Sequence, residues 1–395
     1  MTVLGAKWGM PESLFWLHGR RPEQPVEFAE KQGLWNVYGH PEMAAIFQDS
    51  ATFGANTARL FSELPQEFSD GNLGQMDGAE HRTLRNLVSQ AFTPKVVAGL
   101  EARIGQITHD LLDQVDGRES FDLVPALAYP LPVIVIAELL GVPASDRDQF
   151  KEWVDRIFEV TNIDFSLNEG KEKVGVSIDQ AMERQQPLRD YLLEHANERR
   201  VRPREDLITK LVLAEVDGAR LSDAEVVSFA NLLLLAGHVT TTMLLGNTTL
   251  CLDHFSKQAA MVRADRTLMP TAIEESLRML TPFATQARVT ESEAMVGDTL
   301  IPKDQLLMIS VSAANRDSRT FAEPDEFRLD RYPNPHLAFG RGVHFCIGAP
   351  LARLEGRVAM NILLDRFPRM SVERPEFIQS AMMCGVGSLT VRSGG

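Results

Sequence analysis

The segment that most limits how this chain can fold begins at Ser222. Ser222, with Glu225 three residues on, is a capping-box start for a helix. From there a helix can run unbroken to about His254. At 1.5 Å rise per residue it would span roughly 50 Å, enough to cross a whole domain. Its middle reads Leu232-Leu233-Leu234-Leu235-Ala236-Gly237-His238-Val239-Thr240-Thr241-Thr242. The leucines suit a buried core helix, in which threonines bond back to backbone carbonyls. A glycine and three threonines in mid-helix are not explained by core packing alone. Ala236 and Gly237 are small enough for a ligand to lie against the backbone.

Around such a helix the simplest architecture is one large, mainly helical body with small β-sheets. The chain has 395 residues and is 44% hydrophobic, with no linker, repeat or low-complexity stretch to divide it, so residues 1–395 read as a single domain. The formal net charge of -14 argues against nucleic acid and anionic membrane as partners. Cys251, Cys346 and Cys384 are too widely spaced for a disulfide framework or a CxxC zinc site. Met1 to Arg20 lacks the apolar core of a signal peptide, and Leu131 to Leu140 is too short to span a bilayer. The expectation is a cytoplasmic protein without a membrane anchor.

A second stretch carries chemistry. Phe339-Gly340-Arg341-Gly342-Val343-His344-Phe345-Cys346-Ile347-Gly348 sets one cysteine among three glycines, just before an apolar-periodic run (Leu351, Leu354, Val358, Ile362). Gly340, Gly342 and Gly348 can take backbone angles that a Cβ forbids. The run reads as a helix, so Cys346 lies near its N-terminus, where free N–H groups and the helix dipole favour a negative sulfur. Taken alone, a lone cysteine is more often a buried structural residue.

The whole pattern resembles the haem-binding loop of the cytochrome P450 family, the haem-thiolate monooxygenases, and every fixed position is filled. The resemblance implies that Cys346 is the axial ligand to the iron of haem b, and a thiolate ligand favours O–O cleavage. Gly340 and Gly348 belong to the same loop, His344 would bond a propionate, and Phe339 would pack beside the sulfur. It also implies the P450 fold, with haem between the long central helix and the cysteine loop with its C-terminal helix. Ala236-Gly237-His238-Val239-Thr240-Thr241 resembles the family's oxygen-binding helix, in which Thr240 would hydrogen-bond dioxygen and steer protons to it. One position departs, since Val239 stands where the family pattern has Asp or Glu, and valine relays no proton. Water, substrate hydroxyls or His238 would then relay, or oxygen activation is altered. Some macrolide-tailoring hydroxylases of the family share this Ala-Gly-His, aliphatic, Thr-Thr run.

Further stretches agree in order. His81 and Arg85 are four apart and share a helix face, as a solvent-facing basic pair would. Their segment resembles the family helix whose His and Arg bind a propionate. Glu275 and Arg278, three apart, would form an ordinary surface pair on their own. With Arg331 they match the family's Glu-x-x-Arg pair closed by an arginine, which implies a structural role. After Pro282 a strand is expected, with Phe283, Ala284 and Thr285 lining the substrate pocket and Arg288 on a propionate. Leu233 from the long helix, and Met382 and Met383 from a C-terminal turn, would line the same pocket. Those methionines also suit plain core filling.

The remaining segments read more simply. Leu34 to Tyr38 is a strand candidate, and Met43 to Gln48 a helix. Ala51 to Met76, with Phe53, Phe61 and Phe68, reads as a long loop that the family places over the substrate pocket. Leu100, Ile104, Ile107, Leu111 and Val115 mark a scaffold helix. Pro132 to Leu140 is apolar nearly all round and so buried. Phe150 to Ala196 holds helices joined by a polar stretch, Asn162 to Glu172, where the family has a lid. Glu198 to Asp206 is mixed in charge and reads as a solvated loop.

The resemblance implies a monooxygenase that inserts one atom of O2 into a C–H bond of a bulky hydrophobic natural product, with a macrolide or polyketide favoured. A fatty acid, terpene or steroid is an alternative substrate. No flavin or nicotinamide motif is visible, so electrons would come from a ferredoxin and its NAD(P)H-driven reductase, docking on a monomer near Arg82, Arg85, Arg341 and Arg353. Rival readings are epoxidation, coupling or peroxide-driven oxidation, and a haem protein that binds a ligand without turnover. A thiol hydrolase using Cys346 and His344 lacks a third partner.

Overall fold

The computed structural model describes residues 4–60, 72–146, 149–150, 152–154, 171–216 and 218–394. Phe61, Phe68 and the polar stretch from Asn162 to residue 170 lie outside the described residues.

Two small sheets flank a helical body. The first holds β1 (Val26–Ala29), β2 (Leu34–Val37) and β3 (Phe53–Gly54). The second includes β4 (Ser120–Asp122). The later strands are β5 (Thr285–Thr290), β6 (Leu306–Ser310), β7 (Ser371–Phe377) and β8 (Val386–Arg392). The first sheet runs β1-β2-β6-β5-β3 and the second β7-β8-β4. All pairs in them are antiparallel except β2 with β6. Within the long loop expected from Ala51, the described residues include β3 and a 3-10 turn at Thr57–Leu60.

The helices that build the site are α1 (His40–Gln48), α2 (Gly78–Ala91), α3 (Glu101–Asp113), α4 (Pro130–Leu140), α5 (Lys171–Val201), α6 (Leu207–Leu213), α7 (Asp223–His254), α8 (Met269–Met279) and α9 (Ala349–Arg366). The start of α7 follows from its cap. Glu225 N–H donates to Ser222 Oγ at 3.2 Å, and Ser222 N–H donates to Glu225 Oε2 at 2.8 Å. Helix α7 is long and apolar enough to cross a membrane, yet 67% of its most apolar window is buried inside the protein. It is the core's axle, with α4, α5, α8 and α9 packed around it. The back-bonding expected of buried threonines occurs at Thr242, Thr248 and Thr249, whose hydroxyls donate to the carbonyls of His238, Leu244 and Leu245.

The scaffold set is buried rather than a surface pair. Glu275 and Arg278 side chains are both 0% exposed. Arg278 donates to Glu275 from Nε at 2.9 Å and from Nη2 at 2.8 Å. Arg331 Nε adds a bond of 2.9 Å, Arg328 N–H one of 3.0 Å and Asn334 one of 3.1 Å. Burial would raise the Glu275 carboxyl, but these donors outweigh it and hold it below its ordinary value.

The stretch from Glu198 to Asp206 is a solvated loop only in its middle, Arg202 to Glu205, and its two ends differ from that reading. Arg199 is completely buried at the end of α5. Its Nε donates to Asp206 at 2.6 Å, and its Nη2 donates to the carbonyl of Gly141 at 3.1 Å. Asp206 in turn caps α6 by accepting from Thr209 N–H at 2.7 Å. A buried charge is tolerated there because every direction of the fork meets an acceptor.

Candidate active site

The cysteine loop takes the shape its glycines allow. Gly340 and Gly342 have φ of 68° and 71°, in the left-handed region. A Cβ at Gly342 would meet the Phe47 carbonyl oxygen, so α1 packs directly on the loop backbone. Gly348 has an ordinary φ of -80°, so conformational freedom is not its reason here. Cys346 N–H donates to Phe339 O at 2.9 Å, which closes the loop ahead of α9. The sulfur receives the backbone N–H groups of Gly348 and Ala349. Burial pushes the thiol up, while those N–H groups, Arg85 and Arg353 pull it back down.

Cys346 faces a cavity enclosing about 1050 Å³, part of it continuous with solvent. Across it stand Ala236, Gly237, Thr240 and Thr241 of α7. These four share a helix face by their spacing. Ile136, Phe229, Leu232 and Leu233 add an apolar wall, Phe92 and Leu73 another. Gly237 has a second use: a Cβ there would meet Ile136 Cδ1 at 2.4 Å, so its absence lets α4 close on α7. Thr240 Oγ donates to the Ala236 carbonyl, which leaves its lone pairs toward the cavity.

At one edge the cavity is cationic. Arg85, Arg288 and His344 line it. Arg85 Nη2 also donates to the Phe345 carbonyl, and the Arg288 guanidinium lies 5.3 Å from the Phe47 ring centre. His81 stands behind His344, ring centres 4.3 Å apart, and its Nε2 has no hydrogen-bond partner among the described residues. Burial, then the charges of His344 and Arg85, hold His81 down at about 4. The expected propionate set therefore clusters, with one addition missed in the sequence. Asp77, at the N-cap of α2, accepts from His344 Nε2 at 2.8 Å and from Ala55 N–H at 2.6 Å. Burial would raise the Asp77 carboxyl, but these two bonds hold it low. Its capping position was the only local signal.

Several expected site residues sit elsewhere. His238 is 1% exposed and its ring meets Tyr129 edge-on at 4.3 Å, away from the cavity face. Burial drops its pKa to about 3, so the ring is neutral, and it does not line the cavity. Phe283, Ala284, Thr285, Met382 and Met383 are not among the described residues lining the cavity. Phe283 pairs with Met383 in an isolated bridge, and Thr285 Oγ donates to Ala381 O at 3.1 Å. Ala284 is fully buried in the core. Gln286 and Arg288, the other phase of β5, reach the cavity instead. Arg353 is not a free surface charge: it donates twice to Glu274, at 2.7 and 2.8 Å, and its guanidinium lies 4.5 Å from the Phe339 ring centre. Arg353 and His336 together hold Glu274 at about 2. Arg82 and Arg341 remain exposed.

The donor set fits one kind of group: flat, largely apolar, with anionic substituents at one edge and a centre that takes a sulfur ligand. The buried, unpartnered His81 Nε2 beside Arg85 and Arg288 points to the same anionic edge. Comparison with known proteins gives the group its name. The cytochrome P450 family pattern matches residues 3–389. The chain is 41% identical over 362 residues to cyclomarin C epoxidase CymV of Salinispora arenicola, covering 90% of this chain and 89% of that one. It is 40% identical over 381 residues to the erythromycin C-12 hydroxylase of Saccharopolyspora erythraea, covering 95% and 93%. The crystal structure of HmtT, involved in himastatin biosynthesis, superposes with a TM-score of 0.91 at 51% identity over 100% of both chains. The chain thus belongs to the cytochrome P450 family, as a haem b-dependent monooxygenase.

Proposed function

We propose that this P450 tailors a bulky secondary metabolite by inserting one oxygen atom from O2 into a C–H bond, with a macrolide or polyketide as the favoured substrate class. One observation carries the assignment of residues: Cys346 and Thr240 face one another across a single cavity with cations at its edge. Bound haem supplies dioxygen activation and bond cleavage, which the thiolate ligand promotes.

The chain's residues do the rest. Cys346 would hold the haem iron as a thiolate, and the Gly348 and Ala349 N–H groups, Arg85 and Arg353 favour that form against the burial that raises the free thiol. Arg85, Arg288, His81 and His344 would hold the propionates through charge-assisted contacts, and Asp77 orients His344. Thr240, its own proton committed to Ala236, offers an acceptor to a water or a protonated ligand oxygen. Phe92, Phe229, Leu232 and Leu233 exclude water and bind the apolar substrate, with Gln286 available to one of its polar groups. Arg82 and Arg341 are exposed candidates to receive an acidic ferredoxin, which a separate reductase recharges. We place the protein in the cytoplasm as a monomer.

Epoxidation is the second reading, favoured by the similarity to an enzyme named cyclomarin C epoxidase. Both readings are tested together. The purified holoenzyme, a surrogate ferredoxin and reductase, and isotope-labelled dioxygen are run against a panel of macrolides and other secondary metabolites. One labelled atom in a hydroxyl supports the first reading, and in an epoxide the second. Rates with peroxide well above those with ferredoxin contradict both as stated.

A further inference from the structure

A second cavity lies where the N-terminal segment packs on the C-terminal end of α7. It encloses about 990 Å³, part of it continuous with solvent, and among the described residues it shares no lining residue with the cavity at Cys346. Leu4, Trp16, Leu17 and Phe255 give it an apolar wall, and Arg316 with the segment Glu323 to Glu326 gives it a polar one.

Two of these residues carry a buried donor that no described residue accepts. Trp16 and Arg316 are each 3% exposed, and Trp16 Nε1 and Arg316 Nε have no hydrogen-bond partner among the described residues. The rest of the Arg316 fork is satisfied: Nη1 donates to Asp325 Oδ1 at 2.6 Å and Nη2 to the Met279 carbonyl at 3.1 Å. The acceptors nearby are already taken. Arg278 holds the carbonyls of Pro324 and Glu326 at 2.7 and 2.9 Å, and Arg331 holds that of Glu323 at 3.1 Å. Lys7 donates to His254 Nδ1 at 3.1 Å. A buried N–H left unpaired is costly, so both donors call for an acceptor from within the cavity.

The charges favour an anion there. Asp325 is shared by Arg316 and Arg21, and Glu275 by Arg278 and Arg331, so four arginines meet two carboxylates. Glu323 is paired with Arg328 at 2.8 Å. Glu326, half-buried in the wall, adds one negative charge and still leaves the arginines in excess. Burial, then the charge of Arg278, lowers Arg316 to about 10, which marks its own charge as under-compensated.

We propose that this cavity is a second ligand site, separate from the reaction, taking a small, largely apolar carboxylate whose oxygens accept from Trp16 Nε1 and Arg316 Nε. Its body packs on Leu17 and Phe255. Ordered water is the competing occupant, since it meets the donors but leaves the apolar wall unfilled. The site stands whether or not the monooxygenase reading holds. An occupant ties the N-terminal segment to the lock around Glu275, because the Glu323 to Glu326 wall hangs on Arg278 and Arg331.

The probe is 2-naphthoate, with naphthalene as the same body lacking oxygens. The ferrous holoenzyme carries a phenylimidazole on the iron, which fills the first cavity and keeps the haem diamagnetic. Its absorption should stay constant through the titration, so that any binding read is elsewhere. With nitrogen-15 tryptophan the chain gives four indole signals, and the one missing in Trp16→Phe belongs to Trp16. 2-Naphthoate is expected to move that signal downfield and saturably, and naphthalene to leave it in place. Trp16→Phe keeps an aromatic wall without the donor, and by calorimetry it should bind 2-naphthoate on the order of tenfold more weakly, the scale of one hydrogen bond. Where that variant does not fold, the wild-type spectra still decide, since one indole of the four should move with 2-naphthoate and none with naphthalene. No saturable movement, equal movement by naphthalene, or undiminished binding in Trp16→Phe overturns the proposal and leaves water as the occupant.

Discussion

Glu275 and Glu355 are both fully buried, and the fold treats them in opposite ways. Glu275 accepts from Arg278, Arg331, the Arg328 N–H and Asn334, and is held ionised. Glu355 has an oxygen without a partner among the described residues, and burial alone raises its pKa and favours the neutral form. The first sits where three segments must be locked together, between α8 and the stretch through Arg331. The second sits at the edge of a cavity that the reaction uses. Burial alone therefore says little about a carboxyl's role. What decides it is whether donors come with it.

The largest effect separating the two should come from Glu275→Gln. It leaves Arg278 buried without its counter-charge, a loss of roughly 3–5 kcal/mol. Denaturant unfolding of the holoenzyme should show it as a lower midpoint, and a midpoint near wild type would mean the set is not a lock. Arg331→Ala keeps the Glu275–Arg278 pair and should cost about 2 kcal/mol, the scale of a hydrogen bond to a charged group. Equal losses from the two variants would place Arg331 at the centre of the set instead.

Glu355 should leave a signature in pH. Its folded pKa, about 8, is raised above its ordinary 4.5. The folded state then binds the extra proton, so this contribution is fully present below the unfolded value and is lost as pH rises toward 8. The slope is at most about 1.4 kcal/mol per pH unit. Wild-type stability relative to Glu355→Gln should therefore fall across that window, and parallel curves would contradict a neutral Glu355. The smallest effect is expected from Glu355→Met at low pH. Removing an unpartnered polar atom should leave stability unchanged or slightly raised, within about 1 kcal/mol.

The contrast also shows what could be read from sequence. Features set by local spacing were legible. The capping box at Ser222 and Glu225 forms as its residues suggest, and the helix it starts ends at His254. Gly340 and Gly342 take the positive φ that only glycine adopts cheaply. The Glu275–Arg278 pair is one helix turn, so its geometry was fixed before its burial was known.

Features set by phase or by distant partners were not. Along β5 the cavity face belongs to Gln286 and to Arg288, the latter as the resemblance implies, while Phe283 and Thr285 lie in the opposite phase. Three consecutive residues, Phe283 to Thr285, were expected on the pocket wall, but alternate residues of an extended chain face opposite sides. His238 fails for the same reason on a helix: residues 236, 237, 240 and 241 share the cavity face, and 238 points to Tyr129. Arg199 looked solvated because a reversal of the chain brings Asp206 back onto it and the Gly141 carbonyl comes from another segment. The Asp77–His344 bond joins residues 267 apart in sequence, and no spacing rule reaches so far.

The account rests on a thiolate at position 346 binding the haem iron, and one spectrum addresses it. The holoenzyme is reduced under carbon monoxide and compared with Cys346→His. Wild type should give the long-wavelength Soret band of a thiolate-bound carbonyl complex, and the variant should lose that band while keeping haem. A variant whose spectrum matches wild type, or a wild type that takes up no haem, would contradict it.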